Sequence, residues 1–133
     1  MNQKWGLRSK LWLEYKGRPV IGDGRKEMLR SIQANGSIKQ AAQQTGIPYR
    51  RMRGAIREME SIIGRPVVKI HRGGDSGGGA ELTATAHALL DAFEKLSTGF
   101  QQKADARLDE IPDLFLSSSG RFRHSNDNGE EPA

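Results

Sequence analysis

Cysteine is absent from the 133 residues, which removes disulfides and thiolate metal sites from consideration. The three histidines, His71, His87 and His124, are too scattered to assemble a metal site, so neither metal nor cofactor is expected. No apolar run approaches the length that spans a bilayer, and the opening Met-Asn-Gln-Lys-Trp-Gly lacks the apolar core of a signal peptide. A cytoplasmic protein without membrane partners is expected. No nucleophile, base and orienting group can be put together, so an enzyme is not expected. The glycine run at residues 73–79 invites a phosphate-cradling reading. It is followed by no Gly-Lys-Ser/Thr and no helix opens directly behind it, which argues against that.

What is present is charge, unevenly spread. The net +5 hides a basic part, residues 1–73, with sixteen Lys/Arg against five Asp/Glu, and an acidic part, residues 74–133, with five against eleven. A basic half on a small domain is the footprint expected of a protein that grips a phosphate backbone.

Residues 47–64 concentrate that charge: Ile-Pro-Tyr-Arg-Arg-Met-Arg-Gly-Ala-Ile-Arg-Glu-Met-Glu-Ser-Ile-Ile-Gly. Met52, Ile56, Met59 and Ile63 recur at steps of four and three, one apolar stripe on a helix. At 100° per residue, Arg50, Arg53 and Arg57 form a second stripe well clear of the first, with Arg51 and Gly54 further round on the solvent side. Residues 36–46 before it read as a short helix, capped by Ser37, with Ile38, Ala41 and Ala42 facing inward and Gly46 stopping it. Two short helices joined by a glycine-containing turn, the second one basic, spell helix-turn-helix.

The flanks extend the motif. Leu7, Leu11, Leu13 and Tyr15 alternate, which predicts a strand with one buried face, and residues 18–21 offer a short edge partner containing Pro19. Asp23 is expected to cap a helix over about 25–34, with Met28, Leu29 and Ile32 inward and Asn35-Gly36 ending it. Residues 67–72 and 80–83 read as two strands around the glycine run, which makes a wing. Thr83 should cap a last helix whose stripe is Ala86, Leu89, Leu90, Phe93, Leu96 and Phe100; Gly99 is placed to end or loosen it. The fold expected is mainly α with a small β component: a winged helix-turn-helix with an N-terminal strand or hairpin, a two-stranded wing and a long C-terminal dimerisation helix. Its parts are a basic strand region (1–23), the winged helix-turn-helix (24–83), the dimerisation helix (84–108) and an acidic tail (109–133). The tail buries too little apolar surface to offset its ordering entropy, and disorder is expected there.

Each residue type suggests a role. Arginine pairs bidentately with guanine O6 and N7 in a major groove, and Arg50 and Arg53 lie in the first turns of the basic helix, where such contacts occur. Arg51 and Arg57 are assigned to phosphates. Ser37 and Lys39, with Gln40 beside them, stand at a helix start where free amides also favour a phosphate. Gly54 either lets the backbone approach DNA closely or is incidental. Tyr49 is equally a core residue or a phosphate-binding hydroxyl. Arg72, behind Lys69 and His71, leads into the wing, which could lie along the backbone or minor groove. Leu89, Leu90, Phe93, Leu96 and Phe100 form a stripe wider than one small domain needs to cover, and a second copy is expected on it; the alternative is that it packs wholly onto its own strand and first helix.

From about residue 11 to 96 the chain resembles the N-terminal winged-helix domain of ModE-type molybdate-responsive regulators, which is in turn similar to that of LysR-type regulators. The match is carried by Asn35-Gly-Ser-Ile-Lys-Gln-Ala-Ala, Gly46-Ile-Pro-Tyr, Ala55-Ile-Arg-Glu-Met-Glu, Ile63-Gly-Arg-Pro-Val-Val, the glycine-rich wing, and Glu81-Leu-Thr with Ala88-Leu-Leu. The resemblance implies a bacterial dimer whose terminal helices pair and whose recognition helices, residues 48–63 here, enter DNA major grooves. Arg53-Gly54 stands where the family often has Trp-Asp, so its operator does not carry over. Family members continue into β-barrel domains that bind molybdate. None follows Leu108 in this sequence, so molybdate is expected to change neither melting temperature nor DNA affinity. The expected function is thus a homodimeric, sequence-specific regulator of double-stranded DNA, nucleoid-associated, with no effector domain of its own and with its tail open to a protein partner. The alternative is a protein-interaction adaptor or a general DNA-architecture protein on the same winged helix; the arginine face argues against lost DNA affinity.

Overall fold

A computed structural model describes residues 4–72 and 78–112. The elements follow the order β1 (Trp12–Tyr15), β2 (Arg18–Gly22), α1 (Asp23–Asn35), α2 (Ile38–Thr45), α3 (Tyr49–Ile63), β3 (Val68–His71), β4 (Gly79–Leu82) and α4 (Ala84–Arg107). The two strand pairs are separate antiparallel hairpins. This is the expected winged helix-turn-helix: three helices, a wing and a long last helix.

The chain divides into two compact units. Ser9–Gly99 holds the core, built from Val20 and Ile21 of β2, Met28, Leu29 and Ile32 of α1, Ile38 and Ala41 of α2, Met52, Ala55, Ile56 and Met59 of α3, the base of the wing, and Ala86, Leu90 and Phe93 of α4. In the other unit, Gln101 Nε2 donates to the Leu7 carbonyl (3.0 Å) and to Asp105 Oδ1 (2.9 Å).

The first hairpin departs from strict alternation. Leu13 pairs with Ile21 and Glu14 with Pro19, so Val20 is the extra residue of a bulge. The bulge lets two consecutive residues, Val20 and Ile21, both enter the core. It also corrects the expected strand over residues 7–15: β1 is four residues long, Leu11 and Leu13 pack against the core, and Leu7 and Tyr15 are exposed. Asp23 is not the cap of α1. Gly22 holds that position without a side-chain bond, and Asp23 lies in the first turn, where its carboxylate meets the positive helix end.

The motif helices behave as their residues dictate. Ser37 caps α2, its hydroxyl oxygen accepting from the Gln40 amide at 2.9 Å. Gly46 closes α2 at φ 79, a left-handed conformation that glycine adopts without strain, and so turns the chain into α3. A polar clamp joins α1 to α2: the Asn35 amide donates to Gln44 Oε1 (2.8 Å) and to the Ser31 carbonyl (2.8 Å). Thr83 caps α4 by accepting from the Ala86 amide (3.2 Å), while its hydroxyl donates to the Pro66 carbonyl (2.8 Å). The last helix therefore starts pinned to the foot of the wing. Gly99 does not stop it; the helix runs to Arg107. The tip of the wing (73–77) and the tail from residue 113, where disorder is expected, lie outside the described residues.

Candidate nucleic-acid interface

α3 buries Met52, Ala55, Ile56 and Met59 and turns its other faces outward. Arg50, Gly54 and Arg57 are exposed on the side away from the core, and Arg53 is half-buried on the flank toward the wing. Among the described residues none of the four arginines of this helix has a hydrogen bond or ion-pair partner, whereas two arginines of α1 do: Arg25 bonds Glu58 and the Val20 carbonyl, and Arg30 bonds Glu94. Both carboxylates of α3 are engaged, Glu58 by Arg25 and Glu60 by the amides of Val67 and Val68. Among the described residues the positive charge of the recognition helix is thus left uncompensated, which raises the potential offered to an approaching polyanion.

Five of the expected DNA-binding residues meet in one groove of about 410 Å³: Ser37, Lys39, Gln40, Tyr49 and Arg53. Its far wall is the wing, through Ile70, His71 and residues 78–80. Tyr49 is half exposed, so of its two readings the core one is set aside; the apolar stripe starts at Met52 instead. Arg51 is not in the groove. It lies on the opposite flank, among Gly24, Arg25, Met28, Ala55 and Glu58. Arg72 is exposed just past β3. His71 faces Glu81 across the wing, Nε2 to carboxylate at 3.3 Å.

Ile70 and Glu60 had no role in the sequence reading. Ile70 is half exposed on a wing strand, where two-residue alternation places it, but nothing in the sequence sets the wing against Tyr49. Glu60 stands seven residues, or about two turns, after Arg53. That spacing puts both on one flank and was legible; its bonding to residues 67 and 68 was not.

The five residues proposed for dimerisation split. Leu90 and Phe93 are buried in the core of their own chain at 3% and 2% exposure, and Leu89 is partly packed there. This corrects their assignment to a dimer surface: side chains already buried within their own chain have nothing to offer a partner. Leu96 and Phe100 stay exposed at 60% and 53%. Among the described residues no helix is long and apolar enough to cross a membrane, and no group of three His, Cys, Asp or Glu is placed to hold a metal ion.

No family model matches the chain. It is similar to the transcriptional regulator ModE of Yersinia pestis, 36% identical over 115 residues, which is 84% of this chain and 43% of that protein. It is also 36% identical over 100 residues to the DNA-binding transcriptional dual regulator ModE of Escherichia coli K12, covering 74% of this chain and 38% of that one. The chain therefore spans about two fifths of the length of these relatives. Among solved structures, the full-length LysR-type regulator LysG of Corynebacterium glutamicum, with its effector Arg bound, aligns with a TM-score of 0.47 and 24% identity over 66% of this chain and 29% of its own.

Proposed function

We propose, from the premise that this chain carries the winged helix-turn-helix of the ModE-type transcriptional regulators, that it is a regulator which binds double-stranded DNA as a homodimer, with α3 in the major groove and the wing along the flanking backbone. The observation that carries the reading is the arginine face of α3, unpaired among the described residues, with Arg53 set in a groove that also holds Ser37, Lys39 and Gln40 at the start of α2. In this reading Arg50 and Arg53 reach base edges, and Arg51, Arg57 and Arg72 meet phosphates. A helix start with a free hydroxyl proton and a lysine suits one more phosphate.

The test is a salt titration of binding to duplex DNA. The logarithm of affinity should fall linearly with that of salt, with a slope near −0.9 per phosphate engaged. Ser37→Asp sharpens it. Aspartate caps a helix as well as serine does and suits its positive end, so the melting temperature should stay within a few degrees of wild type. The same carboxylate repels a phosphate, and affinity should drop about tenfold or more. Unchanged affinity in the folded variant would remove the start of α2 from the interface.

For the homodimer, the support is the exposure of Leu96 and Phe100, two large apolar side chains on one helix. Leu96→Asp and Phe100→Asp should each turn a dimer into a folded monomer in sedimentation equilibrium. Phe93→Asp, by contrast, should unfold the chain, because it places a charge in the core. A wild-type monomer at micromolar concentration would end the dimer reading.

A further inference from the structure

We infer that Glu60 is the positioning residue of the wing: its carboxylate, projecting from the recognition helix, fixes where β3 departs and so sets the gap between Arg53 and the wing. The inference rests on the DNA-binding reading above for its consequence, but not for its geometry.

An acidic side chain on an arginine-faced helix needs an explanation. Glu58 has one in Arg25. Glu60 Oε2 instead accepts from the Val67 amide at 2.9 Å and the Val68 amide at 3.4 Å. A carboxylate receiving backbone amides makes a charge-assisted bond, stronger than a neutral one. Pro66 has no amide, so these are the first two donors the chain offers beyond it as it enters β3. Because Glu60 and Arg53 share a flank of α3, the surface that lines the groove at one end holds the foot of the wing at the other.

The second strand is held from the opposite side. The Ala80 amide donates to the Gly36 carbonyl at 2.8 Å, and a Cβ on Gly79 would stand only 3.1 Å from that oxygen. Gly36 directly precedes Ser37, the cap of α2. The wing is thus fastened at one strand to α3 and at the other to the turn that opens α2, the two helices of the candidate interface. A two-stranded hairpin has little stability of its own, so its direction depends on such fastenings. Val67, Val68, Ala80 and Leu82 are buried, so its foot stays packed when Glu60 is changed. What is lost is aim.

The test compares Glu60→Ala and Glu60→Gln with wild type in the full chain. In the free protein, hydrogen exchange should quicken about tenfold or more at the Val67 and Val68 amides in the alanine variant. In the glutamine variant it should stay near wild type, since the amide oxygen still accepts. On a duplex selected by the wild type, guanine protection beneath α3 should persist in both variants. Backbone protection on the flank should vanish with alanine and return with glutamine, and the salt slope should shrink by about one as Arg72 loses its phosphate. Unchanged exchange in the alanine variant, an intact flank, or glutamine as defective as alanine would each overturn the inference. Loss of every protection together would do so as well, since it would make Glu60 a stabilising residue only. If the wild type binds no duplex at all, the DNA reading fails while the exchange comparison still decides whether Glu60 anchors the wing.

Discussion

Arg53→Ala should weaken binding to a selected operator by about 1–3 kcal/mol and bring it close to the affinity for random DNA. Arg57→Ala should weaken both alike and lower the salt slope by about one. The contrast comes from placement. Arg53 is half-buried in the groove beside Tyr49, with Ser37 and Lys39 on the rim and the wing opposite. A guanidinium held by such walls has fewer orientations to give up when it makes a bidentate pair. Arg57, one turn on, is exposed and has no hydrogen-bond or ion-pair partner among the described residues to aim it. Both lack a partner among the described residues, so neither change should shift stability by more than about 0.5 kcal/mol. Binding of each variant to selected and random duplexes at two salt concentrations checks this. If Arg53→Ala loses affinity uniformly, Arg53 grips backbone, and sequence is read by Arg50, by Tyr49 or through DNA shape.

Most of this arrangement was legible in the sequence because it rests on local rules. The stripe Met52, Ile56, Met59 needs only a 3.6-residue period, and the cap at Ser37 and the stops at Gly36, Gly46 and Gly64 need only local backbone chemistry. The failures share a different cause. The bulge at Val20 depends on how two strands register, and periodicity of two cannot show it. The stripe of α4 was read as surplus to one domain, yet Leu90 and Phe93 fill space between elements far away in sequence. Width of an apolar face measures how much must be covered, not by what. The groove wall made by Ile70 and the bond from Glu60 to the wing are likewise contacts between elements, set by how β3 leaves α3.

Met52→Ala should lower the free energy of unfolding by about 2–4 kcal/mol, a large part of the 5–15 kcal/mol typical of a domain. Met52 is fully buried on the core face of α3, in contact with a cluster drawn from every other helix and both hairpins. Removing it costs the transfer of its side chain and leaves a cavity. The melting temperature should fall on the order of 10–30 °C. The DNA affinity of the molecules that remain folded should stay within about twofold, since Met52 lies on the face opposite Arg50 and Arg57. Thermal melts, with binding measured well below the transition and corrected for active fraction, separate the two effects. A variant that melts like wild type would mean that α3 is not seated by this face, and then its arginines would not face the groove.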